Sequence, residues 1–338
     1  MKKGLLVLFT VCAMFLLSAE TVKADTNIAA QFEASFVEAI TEKYNITEAE
    51  FTKEWALSQT ELDLTDCEVG GIDKNGTNKH VLADNFKNLE ELRLSGNKLG
   101  GTPDFPANLK VLDLSNNNLT GIPNLPATLT YLDLSNNELT ALPDLPANLE
   151  ELYVSDNKLP AVPALPATLV SLDLSNNELA GLPDLPAELD YLNISNNQLP
   201  GLPPLPGELD YLDISNNELP GLPPLPATLT YLDASNNELP AVGYLPAGLE
   251  ELYLNNNQLT KLPRLPKTLT TLNVEGNNIE KILSSQLPET LVNFRSDVEV
   301  TKDVVENPNT SDNIILYVIL ALVGMTGLGL VTKQAIKN

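Results

Sequence analysis

Histidine and cysteine are nearly absent from this chain, with one histidine and two cysteines among 338 residues. One histidine leaves little material for a histidine-ligated metal site or a histidine-dependent catalytic triad. Two cysteines cannot make a disulfide-rich scaffold. Positive charge is scarce as well. Twenty Lys and Arg face 45 Asp and Glu, a formal net charge of −25. The cationic footprint that nucleic acid requires is missing. Proline, by contrast, is plentiful. Twenty-five prolines would ordinarily point to disorder, yet 43% of the residues are hydrophobic. Proline is being used in an ordered, apolar context.

The two ends read as addresses. Met1-Lys2-Lys3 precedes an apolar run from Leu5 to Leu17, and Val22-Lys23-Ala24 places small residues at the −3 and −1 positions of a cleavage site. Residues 1–24 are read as a secretory signal peptide cut after Ala24, which leaves Cys67 as the one cysteine and excludes an intramolecular disulfide. At the other end, Asn307, Pro308, Asn309, Thr310 and Ser311 precede an uncharged stretch, 314–332, long enough to span a bilayer. Lys333 and Lys337 follow on the side that the positive-inside rule makes cytoplasmic. Removing both ends leaves 15 basic and 43 acidic residues. Order and spacing make residues 307–338 similar to a Gram-positive cell-wall sorting signal with an NPxT-type motif. That resemblance implies a sortase cutting after Thr310 and a covalent bond to peptidoglycan. A plain single-pass membrane anchor is the alternative.

The middle is one motif at a fixed period. Blocks beginning at Gly101, Gly121, Ala141, Ala161, Gly181, Gly201, Gly221, Ala241 and Lys261 align without a gap at 20 residues each. Their pattern is xLPxLPxxLxxLxLxxNxLx. Leu192 and Ile194, with their equivalents, alternate with polar residues at the period of a strand with one buried face. Parallel strands stacked from coil to coil give a solenoid of eleven strands, roughly 50 Å long at ~4.8 Å per strand. Asn97, Asn117, Asn137, Asn157, Asn177, Asn197, Asn217, Asn237, Asn257 and Asn277 form one column. A buried amide there satisfies backbone groups that no ladder reaches. Twenty-three prolines lie between Pro103 and Pro266. Fixed in φ and lacking an N–H, they suit a thin polyproline-like wall on the convex side, where a 20-residue coil has no room for a helix.

LxxLxLxxNxL resembles the core of the leucine-rich repeat. The LPxLP version is similar to short repeats of secreted bacterial effector proteins, and the resemblance covers residues 62 to about 294. The fold class expected is an α/β-type solenoid: a leucine-rich-repeat horseshoe with a parallel concave β-sheet, a polyproline-like convex side and an N-terminal helical cap. The cap occupies 25–60, the repeat domain 61–294 (regular over 101–280), and an acidic tether 295–306. Within the cap, residues 28–44 read as one amphipathic helix with Ile28, Phe32, Phe36, Val37, Ile40 and Tyr44 on its apolar side. Thr47 and Glu50 suggest a capping box for a second helix through Leu57. Residues 70–88, with Gly70, Gly71, Gly76 and His80, read as a surface loop. Leu287 to Leu291 is a repeat displaced by two residues, expected to close the far end. A helical cap followed by such repeats on a wall-anchored protein resembles the internalin-like proteins. The repeats are shorter than in that group, and the anchor motif differs from LPxTG. Cys67 falls in the asparagine column, which in the family also admits cysteine, and is read as a buried structural thiol.

Function must come from a site, not from the fold. Two columns flank the buried leucines and face the concave side. They hold six of the nine tyrosines, a residue enriched at interfaces. The candidate ligand-binding residues are Tyr131, Asp133, Tyr153, Tyr191, Asp210, Tyr211, Asp213, Tyr231, Asp233 and Tyr253. The alternative is that tyrosine and aspartate are simply good solvent-facing residues copied with the repeat. Calcium is disfavoured for lack of an EF-hand-like loop or a tight aspartate cluster. Effectors with a C-terminal ubiquitin-ligase domain use a catalytic cysteine, and here no cysteine follows Cys67. The reading is a cell-surface adhesin or interaction scaffold, not an enzyme, with no cofactor, metal or catalytic residue and no nucleic-acid partner. Its expected partners are a protein or glycan on a host or neighbouring cell, a sortase during anchoring, and peptidoglycan. A structural wall component without a specific ligand, or a single-pass membrane-anchored binding protein, is the alternative.

Overall fold

The computed structural model describes residues 27–303, apart from residues 75 and 77. The signal peptide, the sorting motif and the apolar stretch 314–332 lie outside the described residues. Among the described residues no helix is long and apolar enough to cross a membrane.

Twelve three-residue strands form one parallel sheet: β1 (Glu61–Asp63), β2 (Glu91–Arg93), β3 (Val111–Asp113), β4 (Tyr131–Asp133), β5 (Glu151–Tyr153), β6 (Ser171–Asp173), β7 (Tyr191–Asn193), β8 (Tyr211–Asp213), β9 (Tyr231–Asp233), β10 (Glu251–Tyr253) and β11 (Thr271–Asn273), with a late strand described below. Register is position for position, so Leu192 pairs with Leu172 on one side and Leu212 on the other. The 20-residue period sets this, because each coil returns to the sheet after the same path. Leu189, Leu192, Ile194 and Leu199 of one coil are fully buried, as are their counterparts in the neighbouring coils. Each such side chain contributes about 1.5–3 kcal/mol through removal from water.

Two polar columns hold the coils together. Asn177 shows the ladder at mid-solenoid. Its Nδ2 donates to Val154 O at 2.9 Å, Leu174 O at 3.1 Å and Ser175 O at 3.1 Å, and its Oδ1 accepts from the Leu159 N–H at 3.1 Å. The expected ladder is thus formed, and it bridges coil to coil. Nine of the ten asparagines are buried, and Asn277 is half-buried at the C-terminal end. The second column stands three residues before each strand. Thr128, Thr168, Thr228 and Thr268 each donate a hydroxyl to two carbonyls of the preceding coil. From β3 to β11 the connecting segments contain no helix, as the short coil and its prolines require.

A further column carries left-handed backbone. Asp66, Gly96, Asn116, Asn136, Asp156, Asn176, Asn196, Asn216, Asn236, Asn256 and Gly276 all have φ between 53° and 68°. Only Asn, Asp and Gly stand there, the residues that tolerate left-handed backbone. The chain turns away from the sheet at this residue, three positions after the last residue of each strand. At Gly96 a Cβ would meet the Asp66 carboxylate at 1.8 Å, so that side chain would have to shift to admit one.

The N-terminal cap departs from the expected pair of helices. Ala29–Gln31 is a 3-10 turn, the chain is extended at Phe32, and α1 runs over Ala34–Lys43 with the Glu33 side chain accepting from the Ser35 N–H. Glu50 reaches back to the N–H and hydroxyl of Thr47, but it closes only a 3-10 turn. The helix α2 (Lys53–Ser58) starts at its own cap, Thr52. The surface loop expected over 70–88 is also corrected. It carries α3 (Val81–Asn85), and Val81, Leu82 and Phe86 are fully buried. Phe86 joins Phe32, Phe36, Phe51 and Trp55 in one aromatic cluster with ring centroids 5.0–6.5 Å apart.

At the other end Leu287 and Leu291 pack against the core as expected. The sheet then gains β13 (Asn293–Arg295), which pairs with β11 and puts half-buried Phe294 in the leucine column. This makes twelve strands where eleven were expected. The acidic tether is shorter than its assigned range. Residues β12 (Ile282–Leu283) and β14 (Val300–Thr301) pair as a two-stranded sheet, and the Asp303 carboxylate accepts from Ser284 and Ser285. Described residues up to 303 therefore belong to the folded cap.

Candidate ligand-binding face

Each strand presents its first and third residues to solvent, because its middle residue is locked in the core. On β3 to β11 the first positions are Val111, Tyr131, Glu151, Ser171, Tyr191, Tyr211, Tyr231, Glu251 and Thr271. The third positions are Asp113, Asp133, Tyr153, Asp173, Asn193, Asp213, Asp233, Tyr253 and Asn273. Seven carboxylates and no Lys or Arg occupy these positions.

In-register pairing brings the tyrosines into contact. Tyr191 and Tyr211 stack with centroids 4.5 Å apart and planes 14° apart. Tyr211 and Tyr231 stack at 4.3 Å and 8°. Both spacings are a little shorter than the ~4.8 Å between neighbouring strands, as expected for a sheet that curves toward this face. Tyr253 continues the row from β10, tilted at 5.7 Å from Tyr231. Tyr131 and Tyr153 make a separate pair at 5.7 Å. Between the two groups β6 offers only Ser171 and Asp173. Tyr131 also lines a shallow depression beside Arg93 with Val111, Asp113 and Glu151.

The aspartate row does structural work as well. Asp113, Asp133, Asp173, Asp213 and Asp233 each accept the backbone N–H two residues on at 2.9–3.0 Å, ending the strand with a local turn. Asn193 does the same for Ser195 at 3.1 Å. Where tyrosine takes this place, its hydroxyl turns to the neighbouring glutamate: Tyr153 to Glu151 at 2.9 Å and Tyr253 to Glu251 at 2.8 Å.

Partial burial disfavours charge here. Desolvation, followed by the fields of neighbouring carboxylates, pushes the Tyr131 phenol up to about 12. Tyr191 is likewise raised to about 12, by desolvation and then by Asp173. Tyr253 rises to about 12 through desolvation and its bond to Glu251. Burial raises Tyr211 and Tyr231 as well. Desolvation also holds Asp133 and Asp213 above the ordinary carboxylate range, against the lowering effect of their serine hydrogen bonds.

Nine of the ten residues expected on this face therefore stand on it. Asp210 is the exception. It precedes β8, and among the described residues no hydrogen bond or ion pair links its side chain to the tyrosine row. Cys67 also differs from expectation. It is half-buried, with Sγ 3.3 Å from Thr65 O. The ladder begins at this coil, so no preceding coil covers the thiol. Burial still raises its pKa, which makes it a poor nucleophile. Among the described residues no group of three or more His, Cys, Asp and Glu side chains is placed to hold a metal ion.

Comparisons with known proteins agree with this geometry. Family models described as leucine-rich repeats match residues 88–107, 107–147, 168–189, 248–267 and 266–281. No curated protein matches. Among solved structures, YopM from Yersinia enterocolitica is 37% identical, with a TM-score of 0.52 over 62% of this chain and 56% of that one. The chain thus spans little more than half the length of that protein. The functional domain of InlJ from Listeria monocytogenes, which includes a cysteine ladder, is 22% identical with a TM-score of 0.70 over 80% of this chain and 61% of that one. A chain from an octameric complex of latrophilin 3, Unc5D and the leucine-rich-repeat protein FLRT2 is 23% identical, with a TM-score of 0.53 over 71% of this chain and 90% of that one. The fold is a leucine-rich-repeat solenoid, similar in structure to YopM and to the internalins.

Proposed function

We propose that this chain is a cell-surface binding protein of a Gram-positive-type bacterium, anchored to the wall at Thr310, which takes a protein or glycan on the exposed sheet face. The observation that carries the reading is the stack of Tyr191, Tyr211 and Tyr231 in an acidic surround. Three aromatic side chains held half-exposed by a rigid sheet give a large contact area at little entropic cost on binding. The protein acts as an adhesin or scaffold and catalyses no reaction.

The test has two readouts. Titrated against animal epithelial cells, other bacteria and immobilised glycans, the purified chain is expected to bind at least one surface saturably. A chain that binds none of them is a structural wall component. Mass spectrometry of protein released from the parent cell by a muralytic enzyme is expected to find a C-terminus at Thr310 bearing cell-wall peptide. An intact Asn338 in the membrane fraction would contradict the wall anchor and support a single-pass membrane anchor.

A further inference from the structure

We propose that the occupant of the exposed sheet face is a peptide segment rich in Lys or Arg, lying along the tyrosine stack and across the strands. The proposal rests on the binding-face reading above and narrows it from protein or glycan to one chemistry.

Charge is the first argument. Asp113, Asp133, Asp173, Asp213 and Asp233 make no ion pair among the described residues. Arg93, at the N-terminal edge of the face, is already held by Glu91 at 2.7 Å and Glu61 at 3.3 Å. Neighbouring strands stand ~4.8 Å apart, so Asp213 and Asp233 are close enough for one guanidinium to bridge them. A row of like charges without counter-charge gains from a cationic partner in both association rate and specificity.

Ring geometry is the second, independent argument. A sugar docks on tyrosine by laying its apolar face on the flat of the ring. Here most of the flats are taken. Tyr211 is covered on both sides, by Tyr191 at 4.5 Å and Tyr231 at 4.3 Å, and Tyr253 stands beside Tyr231 at 5.7 Å, tilted by 45°; the side of Tyr191 toward β6 is the one stacked-row flat with no ring beside it among the described residues. What remains outward is ring edge and phenol oxygen. The aliphatic stems of Lys and Arg pack on such edges while their donors reach hydroxyl and carboxylate oxygens.

The experiment uses the full chain in a non-ionic detergent and fluorescence anisotropy with three probes. These are a labelled peptide of alternating arginine and glycine, its glutamate counterpart, and a neutral chito-oligosaccharide. Two variants each lose two charges: D213N/D233N on the face, and D144N/D184N at exposed positions between strands. Asn193 already caps its strand as an amide, so the first pair is expected to fold. The arginine peptide should bind and the other probes should not. D213N/D233N should weaken it on the order of tenfold or more, and D144N/D184N by less than about twofold. Equal loss in both variants, no binding of the arginine peptide, or tighter binding of the oligosaccharide overturns the proposal. So does cell-surface binding that is lost when Tyr191, Tyr211 and Tyr231 become alanine but indifferent to D213N/D233N, a result that leaves the binding face standing. Cell-surface binding indifferent to the tyrosine variant overturns the face itself.

Discussion

Replacing Asn177 by alanine lowers the stability of the solenoid by about 2–3 kcal/mol, read as a shift in the midpoint of urea unfolding. The amide makes four hydrogen bonds, to Val154, Leu174, Ser175 and Leu159. Alanine leaves the Leu159 N–H without its acceptor in a region water does not reach, and a buried unsatisfied group costs about 1–3 kcal/mol; the three carbonyls each lose one donor but keep another, from Asn157, Asn197 and the Asp156 N–H. Partial relaxation and sharing of acceptors keep the total below the sum. The same substitution at half-buried Asn277 costs less, since water can replace the amide. Asn176→Ala provides the contrast. That side chain is exposed, but its φ of 53° is strained for alanine by about 1–2 kcal/mol. Equal, small effects at Asn177 and Asn277 would mean that the ladder does not bind the coils together.

Changing Tyr191, Tyr211 and Tyr231 together to alanine weakens binding to the saturable cell surface on the order of 100-fold or more, while the midpoint of urea unfolding moves little. Aromatic side chains at the centre of an interface cost 2 kcal/mol or more each when truncated, though not additively. The fold tolerates the change because Leu192, Leu212 and Leu232, on the opposite side of the same strands, supply the core. The triple phenylalanine variant separates two contributions. It keeps the stacked rings and removes the hydroxyls, so it isolates the hydrogen bonds that the partner makes to the phenols. Titrations with saturation analysis on whole cells check all three chains. Unchanged affinity in the alanine variant would remove the stack from the site.

The repeat makes most of this legible in the sequence itself. Leucine spacing set the sheet register, because a 20-residue period permits only one way to stack. The column position of Tyr191, Tyr211 and Tyr231 then placed them side by side. Their stacking was not readable, since it depends on side-chain rotation and on the convergence of neighbouring strands. The left-handed column from Asp66 to Gly276 is visible as a run of Asn, Asp and Gly, but these residues also serve ordinary turns, so residue type alone does not give its φ. The ends are the least legible part of the sequence. Outside the period, Phe32 and Phe86 are 54 positions apart in sequence, and only tertiary packing joins α3 to the aromatic cluster of the cap. Val300 and Thr301 lie in an acidic stretch with no strand pattern of their own, and they become a strand only because Ile282 and Leu283 offer an edge. Asp210 was grouped with the tyrosines by neighbourhood in sequence, whereas the strand begins one residue later.

The central claim is that the exposed sheet face is where a partner sits. Hydroxyl-radical footprinting of the chain, free and bound to its saturable surface, tests it directly. Tyr244 serves as the internal control, 94% exposed in a segment between strands and away from the sheet. The account predicts that Tyr191, Tyr211 and Tyr231 are protected on binding while Tyr244 is oxidised as before. Protection of Tyr244 with the stacked tyrosines unchanged would contradict it.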